Sequence, residues 1–288
     1  MNMLSYLFLR FMILIVGFMP FWLMYVFSDI VYFFIYHVSG YRRKVVTANL
    51  ISCFPEKSKE EIKKLEKKYY HHLSDISLET FKGFSMSPKE LIRRHHILNP
   101  EVADFYFNKG IGAIAVPGHY NNWEWGSLSP GLQLKYPIVA FYKPFSNLYV
   151  DRYAKNHRAK FNTYLASINE TSKTFTEFAP KPHAYIMASD QSPVNLKHAY
   201  WIDFLNHDTP WLHGPEKYAR IHNIPVVYVD IQKVKRGFYE LKLILLTDNP
   251  SALPEGEITK LYVRHLEQSI LNEPAYWLWS HKRWKYKR

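Results

Sequence analysis

The sequence predicts an α/β protein: a mixed β-sheet covered by helices, preceded by an apolar helical segment at the amino terminus. Two patterns carry that prediction. Short apolar runs bounded by Gly or Pro alternate with stretches of helical periodicity, and residues 11–28 contain no charged side chain. A chain of 288 residues can bury one large core. Nothing after residue 38 reads as a linker, so residues 1–38 form a membrane anchor and 39–288 a single folded domain.

The apolar character of the first segment continues past Asp29 to Val38, long enough to enter a bilayer. Pro20 removes a helical hydrogen bond and kinks the chain, so one tilted span and two short membrane-embedded helices both fit. Arg42, Lys44 and the Arg43 between them follow at once, a basic cluster of the kind found where a chain leaves a membrane on its cytoplasmic side. Residues 56–96 mix charged with apolar positions, and Ile62, Leu65, Tyr69 and Leu73 recur at helical spacing, which predicts amphipathic helices. Residues 111–117 are a short apolar run between Gly and Pro, a buried strand leading into a turn at Gly118. Residues 137–142, 184–188 and 225–231 read as further core strands, with 149–164 and 215–222 as helices among them. A strand over 239–246 and a helix over 258–271 complete the domain.

Composition narrows the partners. The 37 Lys and Arg against 25 Asp and Glu give a net charge of +12, which favours anionic partners. The cations are dispersed and no recognition motif accompanies them, which argues against nucleic acid. The 22 Tyr, 19 Phe and 8 Trp suit a protein working at a lipid interface. The single cysteine, Cys53, excludes an internal disulfide and a Cys-based zinc site, and it reads as a small buried apolar residue.

His119 and Glu124 are the candidate catalytic pair. Activating a hydroxyl for attack on an acyl group needs a base near the oxygen, a group that orients the base, and donors for the negative charge that develops. His119 would take the hydroxyl proton on one ring nitrogen while Glu124, five positions on, holds the other. Spacing alone says little: with 14 His and 25 acidic residues, about one such pair arises by chance. His96 with Glu101 and His198 with Asp203 show the same interval and read as surface polarity. Only His119 follows an apolar strand and a Pro-Gly turn that would present it at the sheet's edge. Neither a Gly-x-Ser-x-Gly elbow nor a His-Glu-x-x-His helix is present. The pairs His71-His72 and His95-His96 read as solvated polar residues, because helix neighbours diverge and no third ligand is spaced to join them. Neither metal nor cofactor is expected. Asp151, Lys155 and Arg158 share one helix face. They form either an ordinary ion-paired surface or a place where Arg158 grips a phosphate or a developing oxyanion. Asp190 and Gln191 follow a core strand, where sites of α/β sheets gather, with a turn-capping carboxylate as the alternative for Asp190.

Taken together these segments resemble the bacterial late acyltransferases of lipid A biosynthesis, the lauroyl and myristoyl transferases within the lysophospholipid acyltransferase superfamily. The resemblance is carried by the apolar amino terminus, residues 42–50 leading to 53–56, residues 118–124, Tyr142-Lys143-Pro144 with Arg158, Asp190-Gln191, and residues 277–285. It implies a glycerolipid acyltransferase-like fold. It also implies a fatty acyl thioester donor, acyl carrier protein or acyl-CoA, and a membrane-lipid hydroxyl as acceptor, a lipid A precursor first, at the cytoplasmic face of a bacterial inner membrane. On that resemblance His119 is the base and Glu124 its orienting partner, with Arg158, Lys143, Asp190 and Gln191 binding substrate. Two departures stand out: Lys143 where relatives often have arginine, and residues 204–208 where relatives usually show a glycine after aromatic residues. They leave other acceptors open, such as a lysophospholipid or an amino-acid-based lipid. A basic, membrane-attached adaptor would explain the anchor and the charge, but not a histidine and a glutamate at a strand end.

Overall fold

The computed structural model describes residues 2–288. Pro20 separates two apolar helices, α1 (Asn2–Phe18) and α2 (Phe21–Phe33), and a π-helical turn at Phe34–Val38 prolongs the second. Phe21–Val38 is long and apolar enough to cross a membrane; α1 is shorter. After α3 (Arg43–Cys53), Ser58 and Glu61 close the first turn of α4 (Lys59–Gly83) with a capping box. The stripe read from the sequence faces inward: Ile62, Tyr69 and Ile76 are buried, with Leu65 and Leu73 packed beside them. Two charges of the 42–44 cluster serve the fold, since Arg42 donates to the Ser280 carbonyl at 3.0 Å and Arg43 pairs with Glu66 at 2.7 Å.

Helices and strands then alternate. α5 (Pro88–Arg94) leads to β1 (His95–Ile97), α6 (Glu101–Asn108) to β2 (Ala113–Pro117), and α7 (Pro130–Gln133) to β3 (Ile138–Tyr142). α8 (Leu148–Ala159) leads to β4 (Thr163–Ser167) and α9 (Thr171–Phe178) to β5 (Ala184–Ile186). A hairpin of β6 (Tyr200–Phe204) and β7 (His207–Trp211) precedes α10 (Gly214–His222). The long antiparallel pair β8 (Val226–Lys235) and β9 (Phe238–Thr247) precedes α11 (Glu257–Asn272).

Seven strands form one sheet in the order β1-β9-β8-β2-β5-β3-β4. β8, β2, β5, β3 and β4 run parallel and β9 runs against them. Alternate side chains enter two buried clusters: Ile114, Val226 and Tyr228 in one, Ala113, Ile138 and Val227 in the other. The mixed sheet covered by helices is therefore the architecture the sequence predicts.

Two local expectations are corrected and one element is new. The helix read over 149–164 stops at Ala159, because Asn162 adopts a left-handed φ of 54° and the chain re-enters the sheet as β4. The hairpin β6–β7 has no counterpart in the sequence reading. Its two-residue turn places Leu205 and Asn206 at φ of 50° and 67°, conformations that favour glycine. His72 and His95 are buried rather than solvated, at 4% and 0% exposure. His71 lies with Asp29 and Asp75 in a cluster whose ligand atoms fall within 4.8 Å. There the Arg236 guanidinium already bonds both carboxylates, at 2.6 Å to Asp75, and supplies the positive charge an ion would bring.

Candidate active site

The site begins in the register of two neighbouring strands. β2 and β5 pair Ala113 with Ala184 and Ala115 with Ile186. Carried past the strand ends, the same 71-residue offset sets His119 opposite Asp190 at the carboxyl edge of the parallel sheet. Gly118 makes the turn between strand and histidine; a Cβ there would stand 2.6 Å from Leu266 of α11.

Asp190 holds His119 twice. Its Oδ2 accepts the His119 backbone N–H at 2.8 Å, and its Oδ1 lies 2.6 Å from ring Nδ1. The Trp277 indole N–H also donates to Oδ2, at 2.8 Å. The Asp190 side chain is 1% exposed and that of His119 21%, so the acid is sealed while the ring keeps one open edge. Burial would raise the Asp190 carboxyl, but the His119 ring, the Trp277 indole and the His119 amide bring it down to about 2. Burial likewise works against a charged His119. The charge and hydrogen bond of Asp190, with a smaller push from Glu124, outweigh it and lift the imidazole above its ordinary value. An ionised Asp190 takes the Nδ1 proton as a hydrogen bond, which leaves the Nε2 lone pair free to accept. The Gln191 side-chain nitrogen lies 3.2 Å from that Nε2.

The other predicted residues divide. Glu124, expected to hold the ring, turns to Arg158 at 3.2 Å, and Asp190 occupies the place against Nδ1. The reason is local: Glu124 lies at the start of the single helical turn at Trp125–Ser127, whereas Asp190 comes in along the sheet register. On α8, Asp151 and Lys155 pair with each other at 3.1 Å, so of the three charges only Arg158 meets Glu124. Burial pulls the Arg158 guanidinium down, opposed by Glu124. Lys143 stands exposed immediately after β3, with no ion pair among the described residues.

Several site residues escape sequence reasoning. Asn121 takes a φ of 54° and donates to the Ile231 carbonyl at 2.6 Å. Asn122 donates to Glu79 at 2.7 Å, accepts the Trp125 N–H at 2.9 Å, and turns its carbonyl toward His95 Nε2 at 3.2 Å. Glu79 on α4 is fully buried and also accepts the hydroxyls of Tyr25 and Tyr239, each at 2.8 Å. Burial and the neighbouring Asp75 push its carboxyl up, partly offset by those hydroxyls. Its signal was present: it falls three residues after Ile76 on the buried stripe of an amphipathic helix, where an acid is out of place.

A strap formed by residues 276–283 clamps both halves of the pair. Trp277 bridges Tyr120, Leu278 donates its N–H to the His119 carbonyl at 3.1 Å, and Asn121 donates to the Tyr276 carbonyl at 2.9 Å. Ser192, two residues beyond Asp190, donates its amide to His281 Nε2 at 3.0 Å and its hydroxyl to the Arg283 carbonyl at 2.6 Å. Arg283 is fully buried over the Trp211 ring and donates to the Pro210 carbonyl, while its Nε and Nη1 find no acceptor among the described residues. Burial brings its guanidinium down to about 10, and Asp190 and Tyr262 oppose the fall.

The arrangement is thus a histidine with one nitrogen fixed by a buried carboxylate and the other facing the Gln191 amide, beside a half-buried arginine–glutamate pair. It can draw a proton from a hydroxyl and hold negative charge nearby. Comparison with known proteins gives the same direction. A family model described as bacterial lipid A biosynthesis acyltransferase matches residues 1–286. The lipid A biosynthesis palmitoleoyltransferase of Escherichia coli K12 is 22% identical over 250 residues, covering 85% of this chain and 79% of the relative. The lipid A biosynthesis lauroyltransferase of the same organism is 23% identical over 247 residues, with the same coverage of each. The lipid A biosynthesis acyltransferase of Shigella flexneri is 22% identical over 250 residues, again covering 85% and 79%.

Proposed function

The chain belongs to the bacterial lipid A biosynthesis acyltransferase family, which makes it an acyltransferase, and we propose that it carries a fatty acyl group from the thioester of acyl carrier protein to a hydroxyl of a lipid A precursor. The observation that carries the reading is the His119–Asp190 pair at the carboxyl edge of the parallel sheet. The acceptor hydroxyl displaces the Gln191 amide from His119 Nε2 and gives up its proton there as its oxygen attacks the thioester carbonyl carbon. Arg158, steadied by Glu124, faces the negative charge of the tetrahedral intermediate or a phosphate of the acceptor. As the intermediate collapses, the C–S bond breaks, and the proton held by His119 leaves with the thiol. An ester and a free thiol result, with no change in oxidation state.

The protein works at a membrane, in this reading the bacterial inner membrane, with residues 39–288 on its cytoplasmic side. The apolar helices at residues 2–38 and the exposed Lys44 just after them support that placement. The test is His119→Ala, assayed for transfer of a labelled acyl chain from acyl carrier protein to extracted lipid A precursor. Loss of transfer in a folded, membrane-attached variant is the expected result; transfer at the parent rate overturns the reading.

A further inference from the structure

The outward side chains of α1 and α2 are as apolar as the inward ones. On α1, Leu4, Phe8, Phe11 and Phe18 are each more than half exposed, at helical spacing, and on α2 the same holds of Trp22 and Phe33. A helix apolar on every side is built for surroundings other than water, and an exposed patch of this extent marks a membrane or a partner.

Both helices are nevertheless fastened to the domain along their whole lengths. At the start of α1, Asn147 donates to the Asn2 carbonyl at 2.7 Å; midway, Arg10 lies 4.6 Å over the Tyr153 ring; at its end, Lys82 donates to the Gly17 carbonyl at 2.7 Å. Along α2, Tyr25 bonds Glu79, Ser28 bonds Asp75 at 2.7 Å and Asp29 bonds Arg236. A helix that crosses a bilayer needs apolar surroundings on all sides through about 30 Å. Here the neighbours on the inward side are charged: Asp75, Glu79 and Lys82 on α4 bond α2 and the end of α1, Arg236 reaches Asp29, and Arg152 stands exposed on α8. Sinking either helix across the bilayer would drag those charges with it.

The apolar surface also runs on into the rim of the site. Phe145, Leu148 and Tyr149, between β3 and the first turn of α8, are 48%, 75% and 46% exposed. Asn147 holds them against the start of α1, and Tyr149 packs on Tyr6 with ring centres 5.8 Å apart. Lys143 and Arg152 stand exposed beside this rim, suited to anionic headgroups.

We propose that α1 and α2 lie in a single leaflet without crossing the bilayer, and that the rim residues Phe145, Leu148 and Tyr149 enter the same leaflet, so that the mouth of the site opens directly onto lipid. This rests on the lipid-acylating reading for the choice of occupant, since an acceptor drawn from the bilayer must enter at that mouth.

Topology can be read with introduced cysteines, because Cys53 is buried and its thiol is pushed up to about 12, leaving it silent. The full chain carrying Asn2→Cys, Pro20→Cys, Ser39→Cys or, as a reference on the domain, Ser172→Cys is exposed to a membrane-impermeant maleimide in sealed vesicles of either orientation. No position should react from the face opposite Ser172→Cys, while all react after detergent. Reaction of Asn2→Cys from the opposite face would mean that the chain crosses once. Reaction of Pro20→Cys from that face would mean a hairpin that crosses twice. Either overturns the proposal. For the rim, a nitroxide on Leu148→Cys in phospholipid vesicles should be open to oxygen and shielded from a water-soluble nickel chelate; free access of the chelate overturns that part. Both readouts stand whether or not the protein turns over, so a failed seating and a failed acyl transfer remain separate results.

Discussion

Replacing Asp190 by asparagine tests the reading at its centre. The carboxylate serves three donors: Oδ2 receives the His119 amide and the Trp277 indole, and Oδ1 receives ring Nδ1. An asparagine has one oxygen to offer. Its best placement leaves that oxygen on the two donors at the Oδ2 position and turns its NH₂ toward His119 Nδ1. The ring must then accept at Nδ1 and carry its proton on Nε2, the nitrogen that has to receive the hydroxyl proton. A base locked in the wrong tautomer loses about 10³–10⁴ in kcat, or about 4–5.5 kcal/mol of transition-state stabilisation.

The pH profile gives an independent sign. In the parent protein His119 sits above its ordinary value, and a base must be neutral to act, so kcat/KM rises as pH climbs through that pKa and levels off above it. Removing the negative charge of Asp190 lowers the His119 pKa. The rising limb therefore moves to lower pH while the plateau falls. Initial rates of labelled acyl transfer measured across about pH 5 to 9 read both effects, with circular dichroism to confirm folding. If Asp190→Asn keeps the parent plateau and midpoint while Glu124→Gln shifts them, Glu124 is the orienting group and the argument from geometry fails.

Three further outcomes follow from the same contacts. Trp277→Phe keeps the ring's bulk but removes one charge-assisted donor, so kcat should fall about tenfold with Asp190 still ionised at neutral pH, and an unchanged rate would show that the indole bond is idle. Glu79→Leu strands the donors of Asn122, Tyr25 and Tyr239 in a buried site at about 1–3 kcal/mol each, whereas Glu79→Gln can still satisfy them as the hydroxyls turn; equal denaturation midpoints for the two variants would contradict this. Burial holds the folded His95 at about 3, below its ordinary 6.5. The unfolded chain therefore binds the extra proton first, and the stability His95 contributes is whole above pH 6.5 and lost as pH falls from there toward 3. His95→Gln should flatten that part of a stability-versus-pH curve, and an unaltered slope would place the acid sensitivity elsewhere.

What the sequence discloses and withholds has a physical pattern. Local signals are reliable: the run at 111–117 becomes β2, the Gly118 turn places His119 at the sheet edge, and the stripe on α4 faces inward. His119, Asp190 and Gln191 come together as adjacent strand ends would have them. Glu124 fails as the ring's partner because a five-residue interval cannot say which carboxylate reaches Nδ1; that is settled by the β2–β5 register, a long-range property. β4 escapes because Asn162 interrupts a helical pattern with a left-handed residue, a single conformational choice with a weak signature. His95 looks like a surface residue by type, and Glu79, though its place on the buried stripe of α4 is a signal, names no partner. Only three-dimensional packing supplies the tyrosine, serine and asparagine partners that let them be buried.

The strap has a bearing on how the enzyme comes into being. His119 and Asp190 leave the ribosome well before residues 276–283, yet their spacing depends on Trp277, Leu278 and the Arg283 carbonyl. A growing chain is therefore disarmed until the strap closes over the pair. Translation halted anywhere before Trp277 would leave not a slower enzyme but an unassembled one.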